Sequence, residues 1–237
     1  MSSTQPVQGT CIFCPNPSGS REHVWPDWLR RFLISQVAGL DQADRERLDR
    51  EANITTTRVC DACNRNWMRK LEERSSPMLK VLMVQGRYEI SQRDIFFLRR
   101  WAIKTAAVFE AFDGNLHTSD QLRKTLRNGS SPDDVAVILG AYKGNTMLMH
   151  SRSVYADPQQ NGQTVTWVTL VAGSMVLFVF NEFTRHKSVN LRPEVQAHFV
   201  QLAKSDPSPI SWPYGNPIHD DLLDVASRGP NPEMRLD

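Results

Sequence analysis

From Asp27 to Val37 the apolar residues Trp28, Leu29, Phe32, Leu33 and Val37 recur at helical spacing, which predicts an amphipathic helix. Asp41 to Glu51 is polar, with Asp41 placed as an N-cap, and its charges read as a solvated face. Ile54 to Val59 is β-branched and predicts a strand. A second helix begins near Cys63, where Asn64, Trp67, Met68 and Leu71 share a face, and Pro77 and Gly86 bracket a shorter segment, Met78 to Val84. A long helix follows from about Asp94 to Phe112. It sets Arg99, Arg100 and Lys104 among Phe97, Leu98, Trp101, Val108 and Phe109.

The texture changes near Asn128-Gly129, which places a domain boundary between residues 1–127 and 128–237. Beyond it, Val135 to Tyr142 and Thr146 to Tyr155 predict two strands around a Lys143-Gly144-Asn145 turn. Val165 to Val171 and Met175 to Phe180 predict two more around Gly173-Ser174. Together they predict an antiparallel meander whose last strand, apolar without a break, is central. Short helices are expected over Pro193 to Lys204 and Asp220 to Ala226, and the last ten residues are expected to be loose. The fold class expected is α+β.

Composition narrows this little. At 237 residues, 40% hydrophobic and 23% charged, a packed core is expected and wholesale disorder is not. A net charge of +2 is not that of a strongly basic nucleic-acid protein, so a basic footprint has to be local. Arg58 to Lys104 carries eleven basic residues against five acidic ones, an excess of +6. That stretch is where phosphate contacts would be useful, although solvated helix faces give the same pattern. Met1 to Thr10 lacks the pattern of a secretory signal, and Thr164 to Phe180 is too short and interrupted for a membrane span. A cytoplasmic protein without membrane contact is expected, with a homo-oligomer possible.

The chemistry gathers around cysteine. All four cysteines fall into two C-x-x-C pairs, Cys11/Cys14 and Cys60/Cys63. Two such hooks close a tetrahedral zinc site, and reduced cytoplasmic thiols favour a metal over disulfides. A redox C-x-x-C is the weaker reading, since neither pair lies in a recognisable βαβ context. A shared ion would draw together Glu22 and His23, just beyond the first hook, and Asn64, beside the second. A carboxylate and an amide oxygen suit Mg²⁺ or Mn²⁺, and a neutral imidazole can take a proton from water near neutral pH.

The order C-x-x-C, Glu22-His23-Val24-Trp25-Pro26, then C-x-x-C-Asn64 resembles the zinc-bearing branch of the HNH (ββα-metal) endonucleases over Cys11 to about Leu71. The resemblance implies a treble-clef-like ββα-metal module with an inserted helix, and a phosphodiester hydrolase acting on DNA. It implies His23 as general base, Glu22 and Asn64 as ligands of a catalytic Mg²⁺ or Mn²⁺, and Cys11, Cys14, Cys60 and Cys63 as ligands of a structural Zn²⁺. Asn53, before the second strand, is the candidate for the middle Asn. The chain departs from the family's pattern at Glu22, where Asp is commoner. It also lacks the Gly-Gly after Pro26, and the Lys after the second hook. His23 packed as a structural side chain, Asn64 as a helix cap and Asn53 as a turn residue are the plainer alternatives. A degenerate zinc module that binds nucleic acid or protein without cutting is the alternative for the whole.

Overall fold

A computed structural model describes residues 9–36, 41–156, 164–181, 191, 193–203 and 208–228. The N-terminal hairpin pairs β1 (Ser20–His23) with β2 (Thr55–Val59) in antiparallel register, Glu22 opposite Thr56 and His23 opposite Thr55, with a bulge between Ser20 and Glu22. Two helices are inserted between these strands. In α1 (Asp27–Gln36), Leu29 and Leu33 are buried; the expected end at Val37 lies outside the described residues. In α2 (Gln42–Ala52), Asp41 accepts from the Asp44 amide as N-cap, and only Leu48 and Ala52 are buried, so the charges do form a solvated face.

From Cys60 the chain is helical without interruption: α3 (Asp61–Cys63), a single π-helical stretch (Asn64–Met68), then α4 (Arg69–Met83). Pro77 does not divide α4 as its residue type predicts. A proline inside a helix loses one backbone bond and costs about 3 kcal/mol. Here Leu71, Met78, Leu79, Leu82 and Met83 are all buried on one side, and that packing outweighs the break. After β3 (Tyr88–Ile90), α5 (Gln92–Phe112) starts two residues earlier than expected, because Ser91 and Asp94 form a reciprocal capping box. From Leu98 to Ala111 every residue of α5 is buried, the mark of a central helix. A short helix, α6 (Asp120–Arg127), adds to the elements expected; Ser119 caps it, and Leu122 and Leu126 are buried on one face.

The main sheet has the order β5-β6-β7-β4-β8, antiparallel throughout, over β4 (Val135–Ala141), β5 (Leu148–Ala156), β6 (Thr164–Ala172), β7 (Met175–Asn181) and β8 (Phe199–Gln201). Strands β5, β6 and β7 form a meander, and β7 is central as its composition predicts. The hairpin expected around Lys143-Gly144-Asn145 does not form: β4 lies against β7 and β8, so the connection crosses the end of the sheet in Greek-key fashion. The reason is burial. All seven residues of β4 are buried, which an edge position would not allow, whereas β5 carries His150, Ser151, Arg152 and Ser153 and takes the edge. The crossing segment is held by Asp220, whose carboxylate accepts from the Tyr142 hydroxyl and from Asn145. The helix expected over Pro193 to Lys204 shortens to α7 (Pro193–Gln196), because β8 follows to pair with the free edge of β4; Lys204 lies outside the described residues.

Period-2 alternation divides the sheet between two layers. Leu177 and Val179 of β7 face α5, while Val176, Phe178 and Phe180 face Val195 of α7 and Leu223 of α8 (Asp220–Ser227). The α5 side is one hydrophobic core that also holds Cys11, Val24, Leu29 and Leu79, so it runs without a gap from the first hook, across residues 127 and 128, to the sheet. β9 (Ile210–Trp212) pairs with β3 and closes the far side of α5. No described helix is long and apolar enough to cross a membrane.

Candidate metal centre

The two cysteine hooks meet. The first is a tight loop whose Cys11 amide donates to Asn16 and whose Ile12 amide donates to the Arg58 carbonyl of β2. The second opens the helix, Cys60 acting as N-cap of α3. In each, a backbone N–H turns onto a sulfur, Phe13 to Cys11 Sγ and Cys63 to Cys60 Sγ, both at 3.4 Å. Cys14 Sγ lies 3.5 Å from Cys60 Sγ and 3.6 Å from Cys63 Sγ, and all four ligand atoms are within 4.8 Å of one another. Zinc–sulfur bonds of about 2.3 Å require tetrahedron edges of about 3.8 Å. The four buried thiols therefore fit a metal ion such as zinc.

A hydrogen bond with the Cys63 thiol draws Cys11 down to about 5 against the upward push of burial, while the same bond, followed by burial, drives Cys63 up. Burial also raises Cys14. Four thiolates cannot share this space alone; a divalent cation supplies the charge that lets them. Behind the first hook, the buried Arg123 of α6 donates to the Ile12 carbonyl at 2.5 Å and to the Thr118 carbonyl.

Asn64 follows the second hook at the start of the π-helical stretch. Its Nδ2 donates to Ser20 Oγ (3.0 Å) and to the Arg21 carbonyl (3.3 Å). A carbonyl only accepts, so this contact fixes which end of the amide is nitrogen. Among the described residues Asn64 Oδ1 accepts no hydrogen bond. Asn64 thus meets β1 at Ser20 and Arg21; among the described residues no hydrogen bond joins it to Glu22 or His23. His23 is half-buried and leaves β1 on the opposite face from Glu22, as strand geometry requires. Asn53 is exposed and ends α2, its backbone N–H donating to the Asp49 carbonyl; no described contact joins it to Glu22, His23 or Asn64.

Glu22 points inward. It is 6% exposed, and among the described residues its carboxylate accepts no hydrogen bond. Its nearest charge is Lys104 Nζ of α5, at 3.9 Å, and that ammonium is bonded to Glu72 of α4 at 2.8 Å. Burial raises Glu22 to about 7, helped by Glu72 and opposed by Lys104. Lys104 is itself held above its ordinary value: burial works downward, and Glu72 and Glu22 outweigh it. Glu72 and Lys104 were not singled out as site residues. The legible signal was a lysine inside the apolar run Trp101 to Phe109, since a charge there has to find a partner.

The basic footprint needs correction. Arg99, Arg100 and Lys104 are buried and bonded inward: Arg99 to the Leu202, Pro132 and Val135 carbonyls, Arg100 to Leu126, Lys104 to Glu72. The two arginines satisfy buried backbone carbonyls and the lysine a carboxylate, so none of the three is free to meet a phosphate backbone. Arg65, Arg69, Lys70 and Arg74 stay exposed on the outer side of the helix, the first two paired with Asp61 and Glu73. Trp25 is fully buried and tilted against Trp101, and Trp67 meets Phe13 edge-on, so both rings pack.

Neither a protein-family model, a curated protein nor a solved structure matches the chain.

Proposed function

We propose that the chain is a metal-dependent endonuclease of the HNH type that hydrolyses phosphodiester bonds in DNA. The four cysteines bind a structural Zn²⁺, and Glu22 with Asn64 Oδ1 hold Mg²⁺ or Mn²⁺. The observation that supports this is the Asn64 amide on the Arg21 carbonyl, which ties the residue after the second hook to the strand that carries Glu22 and His23. The donor set fits a hard cation: both groups offer oxygens that, among the described residues, accept no hydrogen bond.

When bound, that cation supplies charge stabilisation at the phosphate and its leaving oxygen. The chain's own residues do the rest. His23, half-exposed on β1, takes the proton of the attacking water. Asn64 Nδ2 anchors the amide so that its oxygen keeps one direction. Asn53, ending α2 just before β2, fixes where the second strand begins. The exposed Arg65, Arg69 and Lys70 are available to the backbone of the nucleic acid. Reduced thiols agree with a cytoplasmic setting.

The test is nicking of supercoiled plasmid by the zinc-loaded full chain with Mg²⁺ or Mn²⁺, wild type against His23→Ala. Loss of a general base lowers the rate by roughly 10² to 10⁴. Unchanged nicking would remove His23 from the reaction. One observation favours a second reading, a zinc-stapled binding module without catalysis: Glu22 faces Lys104 in the interior. Zinc-loaded protein that cuts no DNA or RNA would decide for it.

A further inference from the structure

A lysine with no exposed surface, placed in an apolar helix, is not explained by stability. Ion pairs of this kind are often matched or bettered by apolar residues of the same volume. Lys104 instead stands between two carboxylates from two different elements. Glu72 takes it at 2.8 Å, and Glu22 at 3.9 Å receives its charge without a hydrogen bond. Glu72 thus holds the ammonium back. One oxygen of Glu22 is drawn toward α5, and among the described residues neither oxygen accepts a hydrogen bond.

The helix that carries Glu72 also carries Asn64, and the π turn at Asn64–Met68 matters for their alignment. A π turn adds one residue to the helix. Asn64 and Glu72, eight positions apart, therefore align much as an i, i+7 pair does in a plain α-helix. Asn64 meets β1 at Ser20 and Arg21, and Glu72 meets it at Glu22 through Lys104.

We propose that Lys104, anchored by Glu72, is a positioning residue that aims the Glu22 carboxylate at a divalent cation; this rests on the reading of Glu22 as a metal ligand. The pair sets direction, and Glu22 and Asn64 make the contact.

The experiment is titration of Mn²⁺ alone into the zinc-loaded full chain, followed by electron paramagnetic resonance, for wild type, Lys104→Met and Lys104→Gln. Zinc content and circular dichroism report folding separately. By charge alone, removing a cation from the site tightens Mn²⁺ binding in both variants. Positioning gives the opposite pattern: Lys104→Met weakens Kd about tenfold, and Lys104→Gln, which keeps a donor, restores it to within about threefold of wild type. Tenfold tightening in either variant, or an unchanged Kd in Lys104→Met, overturns the proposal. If Lys104→Met loses zinc, the Gln variant decides by the same threefold and tenfold limits. A wild type that binds zinc and no Mn²⁺ overturns both the proposal and the nuclease reading. A wild type that binds Mn²⁺ and cuts no nucleic acid removes the nuclease reading, and the variants still decide the proposal.

Discussion

Arg123 reaches from α6 to the carbonyl of Ile12, inside the first cysteine hook, and a second branch of the same guanidinium takes the Thr118 carbonyl. Substitution by Leu strands two buried acceptors, each worth about 1–3 kcal/mol. Arg123→Leu is expected to lose about 2–4 kcal/mol of stability in urea denaturation. It should also release zinc faster to a chromophoric chelator, because the loop around Cys11 loses its backing. A chelation rate equal to wild type would show that the hook is rigid without Arg123.

The four-thiol cluster makes metal binding part of folding. Cys14→Ser removes a ligand from the middle of the shortest sulfur contacts. It is expected to abolish bound zinc by elemental analysis. The melting temperature should fall by roughly 10 °C or more, given about 2–4 °C per kcal/mol in a chain of this size. A variant that keeps one zinc per chain would place the metal elsewhere.

His150 of β5 lies against the Phe109 ring (4.1 Å between centroids) and near Trp25, with Glu51 3.4 Å from its Nδ1. Burial lowers it to about 4. An unfolded histidine takes its proton near 6.5, so between about 6.5 and 4 the unfolded chain binds more protons, and stability falls as pH falls through that window. Burial raises Glu51, which offsets part of the loss at the acid end. From pH 7 to pH 5 the histidine contributes a loss of about 2 kcal/mol. His150→Leu should remove that contribution, measured as the difference between two urea midpoints.

Gly173 stands in the β6–β7 turn at φ +55°, where an added Cβ would come 2.3 Å from the Met83 carbonyl. That carbonyl ends α4 and accepts from the Ser174 amide. Gly173→Ala combines left-handed strain with a backbone clash and is expected to cost more than about 2 kcal/mol. Amide exchange at Ser174 should rise with it; protection equal to wild type would mean the turn relaxes freely.

The elements read well wherever one face decides. α1 follows its period, α2 its cap, β2 and the four main strands their β-branched and apolar runs, and the paired cysteines announce their cluster. What escaped depends on partners distant in the chain. β3 and β9 are three residues each and exist only as a pair. β4 and β5 look like a hairpin locally, and only the burial of β4 on both faces sends them to opposite sides of β6 and β7. At the site, Asn64 was legible from its place after Cys63. The inward turn of Glu22 was not, because it depends on Lys104, eighty-two positions later. The basic stretch misled for a related reason: composition counts charges, and Arg99 spends its donors on carbonyls of the core.

The charges of α5 each answer to a different neighbour. Arg99 grips the approach to β4 and the end of β8, Lys104 grips α4 and β1, and Glu110 accepts from Thr118, Thr166 and Asn181. These anchors lie on different sides of one rod, so any rotation or axial slip breaks at least one of them. The helix works as an indexing pin: the cysteine-bearing end and the five-stranded sheet are keyed to the same angular setting, and neither can be re-registered without the other.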